Sequence, residues 1–526
     1  MSTVISAADA AWKPRGNPWV IAVVVTLAAF MEILDTTIVN VALPHIAGSL
    51  SVSSDDATWT LTSYLVANGI VLTISGWLGT VIGRKRYFLI CIAMFTVCSL
   101  LCGLAQSLPE LIVFRLLQGF FGGGLQPSQQ AIVLDSFEPA KRGAAFGITA
   151  IATVVAPVLG PVLGGVITDH ASWRWIFFIN VPVGIFAVLA VNALVDDPPW
   201  AARRKRSIDY IGLALITLGL GCMQVVMDRG EDEGWFGSHF IQVTAIAAAA
   251  GIAGAIAWLL LAKKPIVDLR VFKDRNFAVG SALIAAMGLI LYGSAVLMPQ
   301  FAQRTIGYNA TWAGLILAPG GVVVMLLIPP VGRLIRVVQM RWVIAAGFAI
   351  MGASLVYTST LVQSIDYRTL ALMRAAQTAG LGFLFVPISV MAYYSLPKSL
   401  SPDGAALFTM FRNVSGSIGI SLATAMVTER TQARQAHLST WLTPLNQPFN
   451  TLVAQSEQAL QAMGRAGSTL HQSAVALAFQ TLETQSAVLA YADVFMYCAV
   501  VAAAVVPLTL LLSPARASGG PAAPMH

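Results

Sequence analysis

The stretch Met31-Glu32-Ile33-Leu34-Asp35-Thr36-Thr37-Ile38-Val39-Asn40-Val41-Ala42-Leu43-Pro44 contains two carboxylates inside an otherwise apolar run. The run extends from about Trp19 to Leu43, long enough to cross the ~30 Å hydrocarbon core of a bilayer as one helix. It is too long for the apolar segment of a cleavable signal. Because charges inside apolar spans are costly, Glu32 and Asp35 are the first candidates for function.

The composition extends this interpretation to the whole chain. Of 526 residues, 57% are hydrophobic and only 10% are charged, whereas soluble domains average about 25% charged residues. So few charges could not cover the surface of a soluble protein, which excludes an ordinary cytosolic enzyme, a disordered chain and a secreted disulfide scaffold. The net charge of +7 does not indicate a nucleic-acid partner, because the basic residues form short clusters between apolar stretches.

Apolar runs of the length that one transmembrane helix needs, about 20 residues, occur fourteen times. They begin near Trp19, Ala57, Tyr87, Glu110, Ala144, Trp175, Ile208, Phe240, Phe277, Trp312, Trp342, Tyr367, Asp403 and Tyr491. The sequence therefore predicts an all-α integral membrane protein of fourteen spans, with both termini on one side of the membrane.

The basic residues predict which side that is, since Lys and Arg favour cytoplasmic segments. With a cytoplasmic N-terminus, 21 of the 31 Lys and Arg residues fall in cytoplasmic segments. They lie in Lys13/Arg15, 84–86, 141–142, 203–206, 263–275, 333–341, Lys398 and Arg516. The short outer segments contain only Arg174, Arg229, Arg304 and Arg368. We therefore predict that both termini are cytoplasmic.

Two loosely repeated patterns indicate an internal duplication. Gly76-Trp77-Leu78 recurs as Gly332-Arg333-Leu334, and Arg115-x-x-Gln118 recurs as Arg374-x-x-Gln377, at similar offsets of 256 and 259 residues. Transporters are commonly built from such repeats, with the substrate site between them. We predict a cytoplasmic segment 1–18, a six-helix half at 19–195, a linker with two inserted helices at 196–265, a second half at 266–513 and a cytoplasmic tail at 514–526.

The region 429–490 is predicted to be a long outer loop. It is rich in Gln, Ser, Thr and Ala, and residues from Leu452 to Met463 fit an amphipathic helix. Two interpretations remain open, a solvated loop that rests on the surface and a docking element for a partner protein.

The charged residues within the spans point to proton coupling. Glu32 and Asp35 share one helix face, and a rise of ~1.5 Å per residue puts Asp35 and Arg115 at similar depths near the outer edge. Burial disfavours an ionised carboxylate and a nearby cation favours it, so such a group can load and release protons. The alternative is a static ion pair that only fixes helix packing.

Further polar residues in the spans are candidates for a substrate pocket or for support of coupling. They are Asn40, Asn68, Gln118, Gln126, Arg374, Gln377, Arg412 and Asn413. For Arg374 and Arg412, structural roles are an equal alternative. We find no nucleotide-binding loop, nucleophile arrangement or metal-ligand spacing, so we expect neither an enzyme nor a cofactor, with protons as the coupling ion. The five cysteines are expected to be inert buried thiols.

Glycines and prolines in two segments are candidates for conformational change. Gly160-Pro161 and Gly164-Gly165 combine small residues, which allow close helix contact, with a residue that interrupts helix hydrogen bonding. Gly76, Gly83 and Arg84 flank the turn between the second and third predicted spans. That turn is expected either to contact helix C-terminal carbonyls and close the inner side, or to serve only orientation and lipid binding.

These motifs resemble the major facilitator superfamily, in particular its fourteen-span drug:proton antiporters and the EmrB-type multidrug efflux permeases. Leu34-Asp35-Thr36-Thr37-Ile38-Val39-Asn40-Val41-Ala42-Leu43-Pro44 resembles the family's first-span motif. Arg115-x-x-Gln118-Gly119 resembles its fourth-span motif, and Gly160-Pro161-x-x-Gly164-Gly165 its antiporter motif. Ser172-Trp173-Arg174-Trp175-Ile176-Phe177-Phe178-Ile179-Asn180-Val181-Pro182 resembles the start of its sixth span.

The resemblance implies a major facilitator fold in a bacterial inner membrane and proton-coupled export of amphipathic drugs or other toxic small molecules. It assigns proton coupling to Asp35 and Arg115 and implies a large apolar pocket between the halves. It further implies a periplasmic adaptor and an outer-membrane channel as partners in a tripartite pump. The alternative function is a proton-linked carrier of one metabolite, working as a symporter or facilitator.

Overall fold

The computed structural model describes residues 14–198, 208–397, 400–443, 445–463 and 469–515. Most of the predicted segments 1–18 and 514–526, the basic cluster 203–206 and Lys398 lie outside the described residues. The described part of the chain is built from helices and contains no β-strand.

The first half of the chain forms eight helices that coincide with the first six predicted spans. Their bounds are α1 Pro18–Leu50, α2 Ser54–Ile82, α3 Arg84–Leu104, α4 Leu108–Gly122, α5 Leu125–Ser136, α6 Pro139–His170, α7 Trp175–Phe178 and α8 Asn180–Leu194. Two helices follow, α9 Tyr210–Arg229 and α10 His239–Leu261, at the positions of the predicted insertion.

The second half continues from Arg275 to the end of the described chain. Its helices are α11 Arg275–Phe301, α12 Ala310–Leu315, α13 Ala318–Val337, α14 Met340–Thr358, α15 Tyr367–Gly382, α16 Phe385–Ala392, α17 Ser401–Ser439, α18 Gln447–Ala462 and α19 Leu470–Val505.

Among the described residues, 11 helices are long and apolar enough to cross a membrane, or up to 12 if the bent helix over residues 141–168 counts as one span. The predicted count of fourteen is therefore not confirmed. The two runs missing from this set begin near Glu110 and Asp403, where α4–α5 and α17 carry buried polar side chains such as Arg115, Gln126 and Arg412. Buried polar side chains lower the mean hydropathy of a helix even though they face other helices and not lipid.

The region 429–490, predicted to be a long outer loop, corrects one expectation, because its described residues are largely helical. Helix α17 runs on to Ser439, α18 covers the predicted amphipathic segment, and α19 begins at Leu470. Val453 and Leu460 on α18 pack against Ala474 and Ala478 on α19. The many Ala and Gln residues explain this structure, since both are good helix formers. We call residues 429–490 the helical projection.

Both described chain ends lie on the same face of the helix bundle, here called the terminal face. The backbone N–H of Met340 donates to the carbonyl of Ala515, and Trp19 packs edge-on against Phe137. The two halves also meet on this face, where the ring of Phe146 stacks on Tyr393 at a centroid distance of 6.0 Å. Tyr393 Oη donates to Gln130 Oε1 across the same boundary at 3.2 Å.

Candidate functional site

A buried ion pair lies at the centre of the first half. Arg115 Nη1 on α4 donates to Asp35 Oδ2 on α1 at 2.5 Å, and both side chains are fully buried. The other carboxylate oxygen, Oδ1, accepts from Gln118 Nε2 at 3.0 Å and from Asn180 Nδ2 at 2.9 Å. The sequence predicts similar depths for Asp35 and Arg115, and the structure brings the two side chains into contact, with both oxygens of the carboxylate hydrogen-bonded.

Arg115 connects this carboxylate to the neighbouring helices. Its Nε donates to the carbonyl of Thr60 on α2 at 3.1 Å, and Nη1 also donates to Gln118 Oε1 at 2.9 Å. The guanidinium lies over the ring of Tyr64, 4.1 Å from its centroid. One guanidinium therefore contacts groups on α1, α2 and α4.

Glu32 lies one helical turn before Asp35 and has a separate set of partners. Its side chain is 2% exposed. Oε1 accepts from Asn68 Nδ2 at 3.0 Å, and Oε2 accepts from Gln126 Nε2. The same Gln126 amide accepts, through its oxygen, from Arg412 Nη2 on α17. Glu32 is thereby connected to the second half of the chain through one glutamine.

A small polar cavity lies next to this connection. It is lined by Thr26, Ala29, Ile33, Gln126, Gln129, Gln130, Thr149, Ala152, Thr153 and Arg412. Its volume of about 10 Å³ holds roughly one water molecule. At this point between the halves, the described residues leave no room for the large apolar pocket that the resemblance implies.

The second-half candidates repeat part of the first-half arrangement. Arg374 Nη1 on α15 donates to Gln377 Oε1 at 2.8 Å and to Ser294 Oγ on α11 at 3.3 Å. Within the described residues no carboxylate lies within ion-pair distance of Arg374. Asn413 accepts from Arg412 Nε at 3.2 Å and so supports that guanidinium.

Asn40 does not join the other candidates. Its side chain is exposed and donates only to the carbonyl of Thr36 on its own helix, at 3.5 Å. Five residues of an α-helix turn the chain by about 140°, so Asn40 points away from the buried Asp35 side chain.

The predicted conformational motifs occupy close helix contacts. A Cβ at Gly160 would overlap the side chain of Thr37, and one at Gly164 would come within 3.0 Å of the carbonyl oxygen of Ile38. Only glycine therefore allows α6 to pack this closely on α1. Helix α6 bends by 41° near Pro157, as the prolines predict. Gly165 faces the second half, where a Cβ would lie 3.7 Å from Thr311 Oγ1, and Pro161 contacts Gly314 in the same region.

The turn between α2 and α3 lies on the terminal face. Gly83 has a φ of 96°, a conformation that favours glycine. Arg84 pairs with Asp135 on α5, and Lys85 Nζ donates to the carbonyl of Asn192, near the C-terminus of α8, at 2.8 Å. Gly76 on α2 lies against the second half, where a Cβ would be 2.7 Å from the carbonyl oxygen of Pro402.

Several residues of the site were missed in the sequence. Asn180 contacts Asp35 and also donates to Ser99 Oγ at 3.0 Å, and Tyr64 supports the Arg115 guanidinium. Asn180 lies in a motif that the sequence analysis quoted, so its amide inside an apolar span was an available signal. Gln130 and Tyr393 had no such signal, because their contact joins residues far apart in the chain.

The described residues hold no cluster that could bind a metal ion. All five cysteines are free; Cys91, Cys98, Cys102 and Cys498 are buried as predicted, whereas Cys222 is partly exposed.

Comparisons with known proteins point to one family. The sequence model of the Major Facilitator Superfamily matches residues 25–420. The chain is 35% identical over 439 residues to the multidrug export protein EmrB of Escherichia coli (strain K12). The matched region covers 83% of this chain and 86% of that protein. It is 34% identical over 496 residues to the fatty acid resistance protein FarB of Neisseria gonorrhoeae, covering 94% and 96%.

Solved structures share the fold at low sequence identity. The human organic anion transporter MFSD10 superposes with a TM-score of 0.57 and 12% identity, over 93% of this chain and 100% of that one. The proton:xylose symporter XylE gives a TM-score of 0.54 and 13% identity, over 92% and 94%. At this identity the likeness concerns the fold alone.

Proposed function

Since the chain belongs to the major facilitator superfamily, we propose that it is a proton-coupled antiporter that exports amphipathic drugs or other toxic small molecules by alternating access. The buried Asp35–Arg115 pair is the observation that carries this proposal. The relatives named for multidrug export and for fatty acid resistance support an efflux role.

The pair can couple proton binding to helix packing. While Asp35 is ionised, it neutralises a guanidinium that would otherwise be a costly isolated charge in the membrane. A proton on Asp35 removes that attraction, and Arg115 then has only neutral partners, the Thr60 carbonyl, Gln118 and Tyr64. The contacts among α1, α2 and α4 change with the charge, as alternating access requires. Glu32 is the second proposed proton carrier.

We also propose that the chain has fourteen spans, with α9 and α10 inserted between two six-helix halves. Helices α4–α5 and α17 supply the two spans that are too polar to qualify by hydropathy. Both described chain ends lie on the terminal face, and the distribution of Lys and Arg supports a cytoplasmic location for it. The membrane is then the bacterial inner membrane.

A tripartite partnership is part of the same proposal. The helical projection carries exposed apolar side chains, among them Trp441, Leu445 and Met463, which suit contact with a periplasmic adaptor joined to an outer-membrane channel. Crosslinking in cells with the intact chain tests this partnership. Recovery of no adaptor, with the chain itself correctly inserted, would count against it.

Direction of flux tests the central proposal. The chain is reconstituted in liposomes with an imposed pH gradient, and compounds identified by a toxicity panel in a pump-deficient host serve as probes. Antiport requires proton and probe fluxes in opposite directions, abolished by an uncoupler. Fluxes in the same direction would instead support the metabolite symporter.

A further inference from the structure

The buried acids and the buried arginines at the centre of the molecule differ in whether all their polar atoms have hydrogen-bond partners. Every oxygen of Asp35 and Glu32 accepts a hydrogen bond. By contrast, one nitrogen on each of three buried arginines has no partner among the described residues. These nitrogens are Arg115 Nη2, Arg374 Nε and Arg412 Nη1. The N–H groups that lack a hydrogen-bond partner on these three arginines are therefore positively charged donors.

Arg412 differs from the other two arginines because it lines the polar cavity. Its side chain is 1% exposed, and its charge has no carboxylate within ion-pair distance in the described part of the chain. Its oxygen partners are all neutral groups, the amides of Gln126 and Asn413 and the hydroxyl of Tyr292. A neutral amide compensates a buried cation less well than an anion does.

The other lining groups fit the same ligand. Gln126, Gln129 and Gln130 bring amides to the cavity, and Thr26 and Thr149 bring hydroxyls. Gln129 Nε2 is held by these two hydroxyls, at 3.2 and 2.7 Å, so its position is fixed. The cavity combines a guanidinium that has no carboxylate within ion-pair distance with neutral polar groups, and the Gln126 amide lies between this guanidinium and Glu32.

We propose that Arg412 is the binding residue for an anionic headgroup, of the carboxylate class, on the amphipathic cargo. The headgroup replaces the Gln126 oxygen on Arg412 and takes up the free Nη1 donor as a second bond. Paired donors of a guanidinium match the two oxygens of a carboxylate. That the ligand is a cargo rests on the proposed efflux function, whereas the binding itself does not.

The size of the cavity sets the order of events. Space for roughly one water does not admit an apolar tail, and pockets for drug-sized ligands measure about 300–1,000 Å³. The headgroup therefore reaches Arg412 only when the halves separate. Separation breaks the Gln126–Arg412 contact between α5 and α17, and the anion then compensates the guanidinium that this contact leaves behind.

Three probes with one apolar body test the headgroup directly. Pyrenebutyric acid, pyrenebutanol and pyrenebutylamine are titrated against the full chain in nanodiscs, with empty nanodiscs subtracted. We expect the carboxylate to bind on the order of tenfold more tightly than the alcohol, as one charge-assisted hydrogen bond provides. The ammonium probe should bind no better than the alcohol.

Variants of two buried arginines test which residue causes the preference for the carboxylate probe. Arg412→Gln should remove the advantage of the carboxylate and leave the affinity for the alcohol, and Arg412→Lys should keep part of it. Arg374→Gln is the matched control, because Arg374 is equally buried in the same half but does not line the cavity. It should keep the full preference.

Two results would overturn the assignment. One is a wild-type chain that prefers the ammonium probe or makes no distinction. The other is an unchanged carboxylate preference in Arg412→Gln, or its loss in Arg374→Gln instead. Because these are equilibrium measurements, failure of proton exchange in liposomes would reject the proposed antiport and leave the headgroup site standing.

Discussion

The two halves of the molecule hold the same arginine–glutamine pair in different surroundings. Arg115 donates to Gln118 at 2.9 Å in the first half, and Arg374 donates to Gln377 at 2.8 Å in the second. The first pair faces Asp35, whereas the second faces Ser294, which lies 259 residues further along the chain, the same offset that separates the two arginines.

This difference separates structure from chemistry. The shared pair is a helix-packing element that both halves retain, so the arginine alone does not indicate proton coupling. Only in the first half does a carboxylate lie beside the arginine–glutamine pair, and this acid is the group that could bind a proton. The second half, in turn, keeps uncompensated positive charge, on which the proposed anion site at Arg412 depends.

The largest effect is expected at the acid that distinguishes the halves. Asp35→Asn removes the ionisable group and leaves Arg115 without a counter-charge, so export driven by a pH gradient should fall to the level of protein-free liposomes. Initial rates of probe flux measure this, and gel filtration of the purified variant checks that it is folded. Asp366→Asn, on the exposed turn before α15, is the control and should export normally. Normal export by Asp35→Asn would remove Asp35 from the mechanism.

Replacing Arg115 should lower the stability of the protein more than replacing Arg374 does. Arg115→Met leaves a buried carboxylate unpaired, for which about 3–5 kcal/mol of destabilisation is typical. Arg374→Met leaves only Ser294 and Gln377 without a donor, which costs about 1–3 kcal/mol. Thermal unfolding of both variants in the same detergent compares them. Equal losses of stability would mean that the ion pair contributes nothing beyond the shared hydrogen bonds.

Much of this comparison was predictable from the sequence, because it depends on local pattern. The repeated arginine–glutamine spacing led to the predicted duplication, and the rise of a helix led to similar predicted depths for Asp35 and Arg115. The helices that carry both residues begin close to the predicted positions. Such inferences are possible because helix periodicity and the cost of buried charge act on each segment separately.

Contacts between distant segments were beyond the sequence. Nothing near Gln126 indicates that its amide joins Glu32 to Arg412. The offset of 259 residues relates Ser294 to Asp35, but the contact of Ser294 with Arg374 is apparent only once the helices are packed. The state of the cavity was also unpredictable, because its volume depends on how the halves tilt rather than on which residues line it. The region 429–490 is predicted to be a loop because its polar residues suit contact with water, although its Ala and Gln residues favour a helix.

An added acid in the second half makes the comparison sharper. Ser294→Asp places a carboxylate beside Arg374, whose present contact with Ser294 measures 3.3 Å. We expect a gain in stability of about 1–3 kcal/mol, the range for hydrogen bonds to charged groups, seen as a higher unfolding temperature. Ser294→Asn, which is similar in size but neutral, should give little change.

The same acid should not replace Asp35. In the double variant Asp35→Asn/Ser294→Asp, export should remain absent, because the second half lacks counterparts of the contacts that Asn180 and Tyr64 make. Restored export would mean that any acid next to either arginine suffices, and that the halves differ only in that one residue.

The smallest effect is expected at an ion pair that the second half does possess. Arg434 on α17 forms a two-pronged contact with Asp493 on α19, with distances of 2.8–3.1 Å, but the side chains are 42% and 23% exposed. Water competes for both partners there, and exposed pairs contribute about 0–1 kcal/mol. Asp493→Asn should therefore shift the unfolding temperature by no more than a few degrees and leave pH-driven export unchanged. A loss of export comparable to that of Asp35→Asn would show that the base of the helical projection moves with the transport cycle. The contrast between the halves would then lie in where their ion pairs are placed rather than in the presence of a buried acid.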